Sequence, residues 1–183
     1  MRKLFVVALP VLVLSIAAAA VQTLDSAKSK ITAVFTQFGV PVEVSFNRFT
    51  AQISFNPAAI ADSKAQLQVD MASFDMGDAE YNMEVLRKEW FNAAQYPQAT
   101  FLSNAIKQTG PGKLEVTGTL TLKGKSQMLT APVSFRQEGA ERIYEGQLTI
   151  KRNDFSIGEG VWKDTGTVAD PVLIKFKVVT AGQ

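Results

Sequence analysis

Cysteine and histidine are both absent from this chain of 183 residues. Without Cys there are no disulfides, thiolate nucleophiles or Cys-based zinc and iron–sulfur sites. Without His, the commonest proton shuttle at neutral pH and the commonest metal ligand are missing, so Ser-His-Asp and Cys-His catalytic arrangements are excluded. The remaining side chains favour a binding protein, and we assign no catalytic residue, no metal site and no cofactor.

The first twenty residues have the three-part pattern of a secretory signal. Met1-Arg2-Lys3 is a short basic start, residues 4–16 are a nearly uncharged apolar run, and the four alanines ending at Ala20 are the small residues that signal peptidase needs. An uncleaved membrane anchor is the alternative, but the run is shorter than the roughly 20 residues that span a bilayer. We predict a signal peptide over residues 1–20, cleaved near Ala20, and one domain over residues 21–183.

The chain also lacks a large excess of either positive or negative charge. The chain has 19 Lys and Arg and 17 Asp and Glu. The predicted signal carries Arg2 and Lys3 and no acid, which leaves 17 residues of each sign. A neutral surface argues against nucleic acid, which is bound through clustered Lys and Arg, and against a polybasic contact with anionic lipid. We therefore expect no nucleic-acid partner and no stable membrane insertion.

The predicted domain consists mainly of β-strands. Apolar and polar residues alternate over residues 114–122, 129–135 and 172–178, as they do in half-buried strands. Glycine-containing turns separate successive runs, at Gly110-Pro111-Gly112, Lys123-Gly124-Lys125 and Glu138-Gly139-Ala140. Three hairpins, and so a four-stranded meander over residues 98–150, follow from this spacing.

Further β-like runs bring the predicted total to eight strands. They cover residues 31–38, 42–55 (taken as one long bent strand) and 65–71, and a last strand closes the chain. Eight strands are enough for a sheet to close into a ligand-holding barrel.

One segment, Asp78 to Trp90, does not alternate. Asp78 is a suitable N-cap, and acidic residues in the first turn and basic residues in the last suit a helix dipole. Met83, Leu86 and Trp90 would share one helical face. We predict a helix over residues 78–90. The nearby acids Asp75, Asp78 and Glu80 lack the pattern of a calcium loop.

Five motifs occur in order along the chain, at Met71–Gly77, Leu86–Asn92, Tyr96–Ser103, Val116–Gly124 and Ile150–Gly158. With these motifs the chain is similar to the YceI-like family of exported, lipocalin-like proteins. The resemblance extends over essentially the whole of residues 21–183. It implies an extended eight-stranded antiparallel barrel with a helix at one end, an apolar cavity for a long isoprenoid or similar amphiphile, and a periplasmic location.

Candidates for the wall of this cavity are apolar and aromatic residues, because a sheet closed around an apolar ligand needs such a lining. Core packing is the alternative for each of them. Arg152, in the loop over residues 151–170, is a candidate for a polar or phosphate head group, with ordinary loop charge as the alternative. The candidates are Phe35, Phe38, Met83, Leu86, Trp90, Phe101, Leu120, Phe135, Phe155, Trp162 and Arg152.

The prediction is a non-catalytic carrier of an isoprenoid-type lipid or quinone, and two other functions stay open. A hydrolase with a carboxylate pair would draw on Asp75, Asp154, Glu159 and Asp164. An outer-membrane barrel needs an outward apolar band, which Lys175 and Lys177 do not suit. The sequence leaves the oligomeric state open, a homodimer included.

Overall fold

A computed structural model describes residues 22–181, and the predicted signal peptide lies outside them. These residues form one antiparallel sheet and one short helix, which confirms the mainly β class. The strands are β1 (Lys30–Gln37), β2 (Val40–Phe46), β3 (Phe49–Ser54), β4 (Lys64–Asp70), β5 (Phe74–Asp75), β6 (Gln98–Gly110), β7 (Lys113–Leu122), β8 (Lys125–Glu138), β9 (Glu141–Lys151) and β10 (Val168–Ala181), and the helix is α1 (Ala79–Glu84).

The strands form a single curled sheet in the order β3-β4-β6-β7-β8-β9-β10-β1-β2-β5. Strands β6 to β9 pair with their neighbours in sequence, so the predicted meander is confirmed. The turn between β7 and β8 has φ of +48° at Lys123 and +72° at Gly124. Two positive φ values are typical of the type I′ turn, whose twist matches that of the flanking strands.

The predicted number of eight strands differs from the ten in the structure. The run predicted as one bent strand over residues 42–55 is divided at Asn47 and Arg48 into β2 and β3. The backbone of this corner bonds to the next part of the chain, with Asn47 N donating to Ser73 O and Asp70 N to Arg48 O, both at 3.0 Å. After Asp70 a short 3₁₀ turn precedes β5, which pairs with the end of β2.

Residues 22–25 complete the sheet between two of its strands. Gln22 forms a bridge with Ile53 of β3, and Leu24 forms one with Thr180 of β10. Ala181 N donates to Thr23 O at 3.0 Å. The start of the described chain therefore lies between its third strand and its last.

Helix α1 is about half as long as predicted. Asp78 is its N-cap as expected, since Asp78 Oδ1 accepts from Glu80 N at 2.9 Å and from Tyr81 N at 3.1 Å. Beyond Val85 the helical ladder gives way to turns, and Glu89 O accepts from two amides of the loop after β9. The predicted common face of Met83, Leu86 and Trp90 is wrong for this reason. Within residues 22–181 no helix is long and apolar enough to cross a membrane.

Candidate functional site

The curled sheet surrounds an apolar cavity of about 320 Å³. Its walls are the inward positions of the alternating strands, because every second side chain of a strand faces the same side. On β7 these are Val116, Leu120 and Leu122, and on β10 they are Val172, Ile174, Phe176 and Val178. The volume lies in the range of small-molecule sites, which are about 300–1,000 Å³.

Two glycines at inward positions leave space that aromatic rings fill. A Cβ on Gly118 would lie 2.7 Å from Phe101 Cε2 and 2.6 Å from Leu102 O. A Cβ on Gly146 would lie 2.5 Å from Phe176 Cζ and 2.6 Å from Pro132 O. Phe101 and Phe176 both line the cavity, so each ring lies against a bare stretch of backbone on the adjacent strand.

Two tryptophans meet at the end of the cavity nearest to α1. The rings of Trp90 and Trp162 are 5.4 Å apart between centroids and inclined at 44°, and both residues line the cavity. Trp90 follows the turns after α1, and Trp162 lies in a 3₁₀ turn, Gly160–Lys163. Trp90 Nε1 is buried and has no hydrogen-bond partner within residues 22–181. Tyr81 and Glu84 of α1 complete this end.

Arg152 organises the loop between β9 and β10. The side chain is only 2% exposed, and burial lowers the pKa of its guanidinium. Buried backbone carbonyls need hydrogen-bond donors, and the planar guanidinium supplies several of them in a fixed geometry. It donates to the backbone carbonyls of Ile157, Gly158, Asp164, Val168 and Ala169, at 2.7 to 3.5 Å.

A second buried cation joins this loop to the turn between β7 and β8. Lys123 Nζ donates to Ser156 O at 2.7 Å and to Glu159 Oε2 at 2.9 Å. The Lys123 side chain is 5% exposed and that of Glu159 is 50% exposed. The hydrogen bond from the ammonium lowers the pKa of the Glu159 carboxyl.

The structure brings six of the eleven candidate residues together around the cavity. Their role in binding stays a prediction. The position of the five apolar residues suits it, whereas the guanidinium of Arg152, the candidate for a head group, is already bonded to loop carbonyls. They are Phe35, Trp90, Phe101, Leu120, Arg152 and Trp162.

The other five candidates lie elsewhere. Phe38 is in the turn after β1 and is 73% exposed, and Met83 on α1 is 64% exposed. Leu86 is half-buried in the turns after α1. Phe135 packs on Phe55, with centroids 4.6 Å apart, and Phe155 is 1% exposed within the core. None of the five lines the cavity.

Several aromatic residues of the wall were not among the candidates. Inward parity on their strands could have indicated Phe46, Phe55 and Phe176, because each is two residues from another buried or cavity-lining side chain. Phe74 and Phe91 carry no such signal, since they lie in β5 and in the turns after α1. The unforeseen aromatics are Phe46, Phe55, Phe74, Tyr81, Phe91, Tyr144 and Phe176.

Three of the four acids named for a hydrolase have local structural partners. Asp75 accepts from Gly77 N, Asn82 Nδ2 and Asn47 Nδ2, and these hydrogen bonds lower the pKa of its carboxyl. Asp164 Oδ1 accepts from Gly166 N at 2.6 Å. Neither acid lines the cavity, and the same is true of Asp154 and Glu159. Over residues 22–181 no three His, Cys, Asp or Glu residues are grouped as a metal site requires.

Comparison with known proteins identifies the family. The model of the YceI-like domain matches residues 22–180. This chain belongs to the YceI-like family. The resemblance drawn from the five motifs is therefore confirmed.

Relatives of this YceI-like chain include bacterial UPF0312 proteins. A UPF0312 protein of Vibrio campbellii is 36% identical over 118 residues, which are 61% of this chain and 62% of the relative. A UPF0312 protein of Ectopseudomonas mendocina is 31% identical over 140 residues, 73% of this chain and 71% of the relative. The chain thus spans less than two thirds of the length of the Vibrio relative.

Two solved structures share the fold. BcnA of Burkholderia cenocepacia is 51% identical, with a TM-score of 0.83, and the match covers 85% of this chain and 98% of that one. A polyisoprenoid binding domain from Saccharophagus degradans is 20% identical, with a TM-score of 0.70 over 91% of this chain and 99% of that one. At that identity the second likeness concerns the fold alone.

Proposed function

We propose that this YceI-like protein is a non-catalytic carrier that holds the chain of an isoprenoid-type lipid or quinone in the cavity between its strands. The observation that carries the proposal is the cavity of about 320 Å³, walled by inward apolar side chains from most strands of the sheet. Its family and its fold, which it shares with a polyisoprenoid binding domain, support the same assignment.

The driving force for binding is the transfer of a hydrocarbon chain out of water. Each buried CH₂ contributes about 0.8 kcal/mol, so affinity comes from buried area and a few polar groups select the head. The wall that supplies this area includes Phe101, Leu120 and the pair of Trp90 and Trp162.

The arrangement of charge supports a carrier over the two alternatives. The acids that a hydrolase would use lie outside the cavity wall, and Asp75, Glu159 and Asp164 have structural partners. Ion pairs occupy the outer face of the sheet, where Lys175 meets Glu43 at 2.9 Å and Arg136 meets Glu145 at 2.6 Å. A lipid-facing surface would desolvate such pairs at high cost.

A periplasmic location belongs to the same proposal. It rests on the secretory pattern of residues 1–20 and on the balance of charge in the rest of the chain. Fractionation tests it, because a periplasmic carrier is released with the soluble periplasmic fraction and an outer-membrane protein requires detergent.

Native mass spectrometry of the protein isolated gently from bacterial periplasm, followed by organic extraction, tests the cargo. A stoichiometric prenyl lipid or quinone is the expected result. An empty protein that also takes up no added prenyl lipid would contradict the proposal.

Substitution of the cavity wall then tests the site. Trp90→Ala combined with Phe101→Ala is expected to reduce retained lipid at least about tenfold, since two large apolar contacts are removed, with the β-type circular dichroism unchanged. Phe135→Ala is the matched control, because Phe135 is a core aromatic outside the cavity wall. Equal retention by the double variant and by this control would refute the assignment of the site.

A further inference from the structure

A second, polar groove of about 510 Å³ lies at the corner where β2 leads into β3. It is separate from the apolar cavity, since Phe46 is the single residue that lines both among residues 22–181. Its lining carries two cations and one carboxylate together with hydroxyl and amide groups. The residues used below are Lys30, Ser45, Arg48, Phe49, Thr50 and Asp70.

One side of the groove is the edge of β3, the first strand in the order of the sheet, where the backbone amide of Phe49 is unpaired among the described residues. Asp70 N donates to Arg48 O, so residues of the same parity as Arg48 bond to β4. In an antiparallel strand the alternate residues direct both N–H and C=O to the opposite side. Ile53 has the parity opposite to Arg48, and its carbonyl oxygen accepts from Gln22 N on the side away from β4. Phe49 N–H points to the same side, toward the groove, and has no partner within the described residues.

Arg48 presents a free, oriented donor group at this corner. Its Nε donates to Asp70 Oδ2 at 2.9 Å, and Asp70 Oδ1 accepts from Ala72 N at 2.9 Å. The two terminal nitrogens of Arg48 have no hydrogen-bond partner within residues 22–181. This differs from Arg152, whose terminal nitrogens both bond to loop carbonyls.

Lys30 supplies a second, weakly paired cation to the groove. Its Nζ is 3.6 Å from Glu43 Oε1, while the other oxygen of Glu43 bonds to Lys175 at 2.9 Å. The hydroxyls of Ser45 and Thr50 face the same space and make no hydrogen bond to the described residues. Donors therefore surround the groove from β1, β2 and β3.

We propose that this groove binds a phosphate monoester, with the terminal nitrogens of Arg48 as the principal contact. The planar guanidinium matches two phosphate oxygens at once. The ammonium of Lys30 and the backbone N–H of Phe49 then contact the third phosphate oxygen. Backbone N–H groups at the edge of a sheet favour anions. Asp70 keeps the guanidinium oriented through Nε.

The monoester has two sources with the same chemistry. One is the head group of a prenyl phosphate whose chain lies in the cavity and passes Phe46, and this source rests on the proposed function. The other is a free phosphate or small phosphate ester, which needs no cavity. Both predict dependence on Arg48.

Titration calorimetry of the full chain with inorganic phosphate, farnesyl monophosphate and farnesol tests the proposal. Arg48→Gln is expected to lower affinity for the phosphate-bearing probes by about tenfold or more, and Lys30→Gln by a smaller factor. Farnesol binding should stay unchanged, which also reports that the variant is folded. Arg136→Gln is the control, because Arg136 is a partly exposed, carboxylate-paired arginine of β8 outside the groove.

The three probes separate the outcomes. Farnesyl monophosphate that binds much more tightly than inorganic phosphate, with dependence on Arg48, supports the lipid source, and equal binding of the two supports the free source. Phosphate binding that is absent, or is insensitive to Arg48→Gln, overturns the proposal. If farnesol binds and the phosphate group adds no affinity, the phosphate proposal is overturned and the carrier function stands. If inorganic phosphate binds with dependence on Arg48 and farnesol does not bind, only the carrier function is refuted.

Discussion

The ring of Phe101 lies against the backbone of Gly118, an inward position of the neighbouring strand. Phe101 pairs with Leu120 in the ladder between β6 and β7, and Gly118 is two residues before Leu120. A side chain on Gly118 would meet both Phe101 Cε2 and Leu102 O at less than 3 Å. The absence of a Cβ thus determines where an aromatic part of the cavity wall can lie.

Gly118→Ala is expected to destabilise the fold by about 1–3 kcal/mol, as overpacking does, and to reduce lipid retention because Phe101 is displaced. Gly110→Ala is the matched control, since its Cβ would meet only Lys113 Cδ, at 3.9 Å. Urea unfolding of both variants checks the difference. Equal stability of the two would show that the ring and backbone adjust freely. Addition of Phe101→Leu to Gly118→Ala should restore part of the loss.

Arg152→Lys is expected to cost about 3 kcal/mol or more, because an ammonium cannot replace the guanidinium at five backbone carbonyls, three of them in buried contacts. The loop between β9 and β10 should then be cut by protease more readily. Arg136→Lys is the control, since that arginine is partly exposed and the change should stay within about 0.5 kcal/mol. Loop proteolysis equal to that of the unchanged protein would contradict the role given to Arg152.

The contact between Lys123 and Glu159 should make the loop sensitive to acid. The pKa of Glu159 is lowered in the fold, so its stabilising effect is complete above the ordinary carboxyl pKa and is lost as pH falls through the lowered pKa. Intrinsic fluorescence should follow this change, because Trp162 lies three residues after Glu159 and packs on Trp90.

Two variants test the origin of this titration. Glu159→Gln should abolish it, and Glu43→Gln should leave it intact, because Glu43 also has a lowered carboxyl pKa but pairs with Lys175 on the outer face. A titration that persists in Glu159→Gln belongs to another group.

Tyr144 should make the protein sensitive to alkali. Burial raises the pKa of its phenol to about 12. A group with a raised pKa contributes stability that is complete below the ordinary tyrosine value, about 10, and is lost as pH rises through the raised value. The free energy of unfolding should fall less steeply between these values in Tyr144→Phe. At neutral pH that variant loses the bond from Tyr144 Oη to Gln22 Oε1, at a cost of about 1 kcal/mol. Parallel pH curves for both proteins would refute this assignment.

The strands that alternate could be predicted because one face of each is buried, and the meander over residues 98–150 follows from its turns. The break at Asn47 and Arg48 could not, since these residues are compatible with a strand and the bend depends on Ser73 and Asp70, more than twenty residues away. The early end of α1 was not indicated either, and the turns that follow it bond to a distant loop through Glu89 O.

The site was predictable to the extent that parity decides which side chains face inward. Phe101 and Leu120 line the cavity as expected, whereas Phe135 has a suitable sequence position and packs on Phe55. The surroundings of Arg152 carry no sequence signal, since backbone carbonyls of any residue type can surround a guanidinium. The polar groove combines five strands and a corner that the sequence does not indicate.

The segment that starts at Gln22 also has a consequence for synthesis. It bonds to β10, whose Thr180 is fully buried, so this part of the sheet joins the first described residues to the last. A nascent chain cannot form it until β10 has emerged. The proximity of Thr23 and Ala181 also suits a circular permutant, with the ends joined by a short linker and new termini opened at the exposed turn around Gly139.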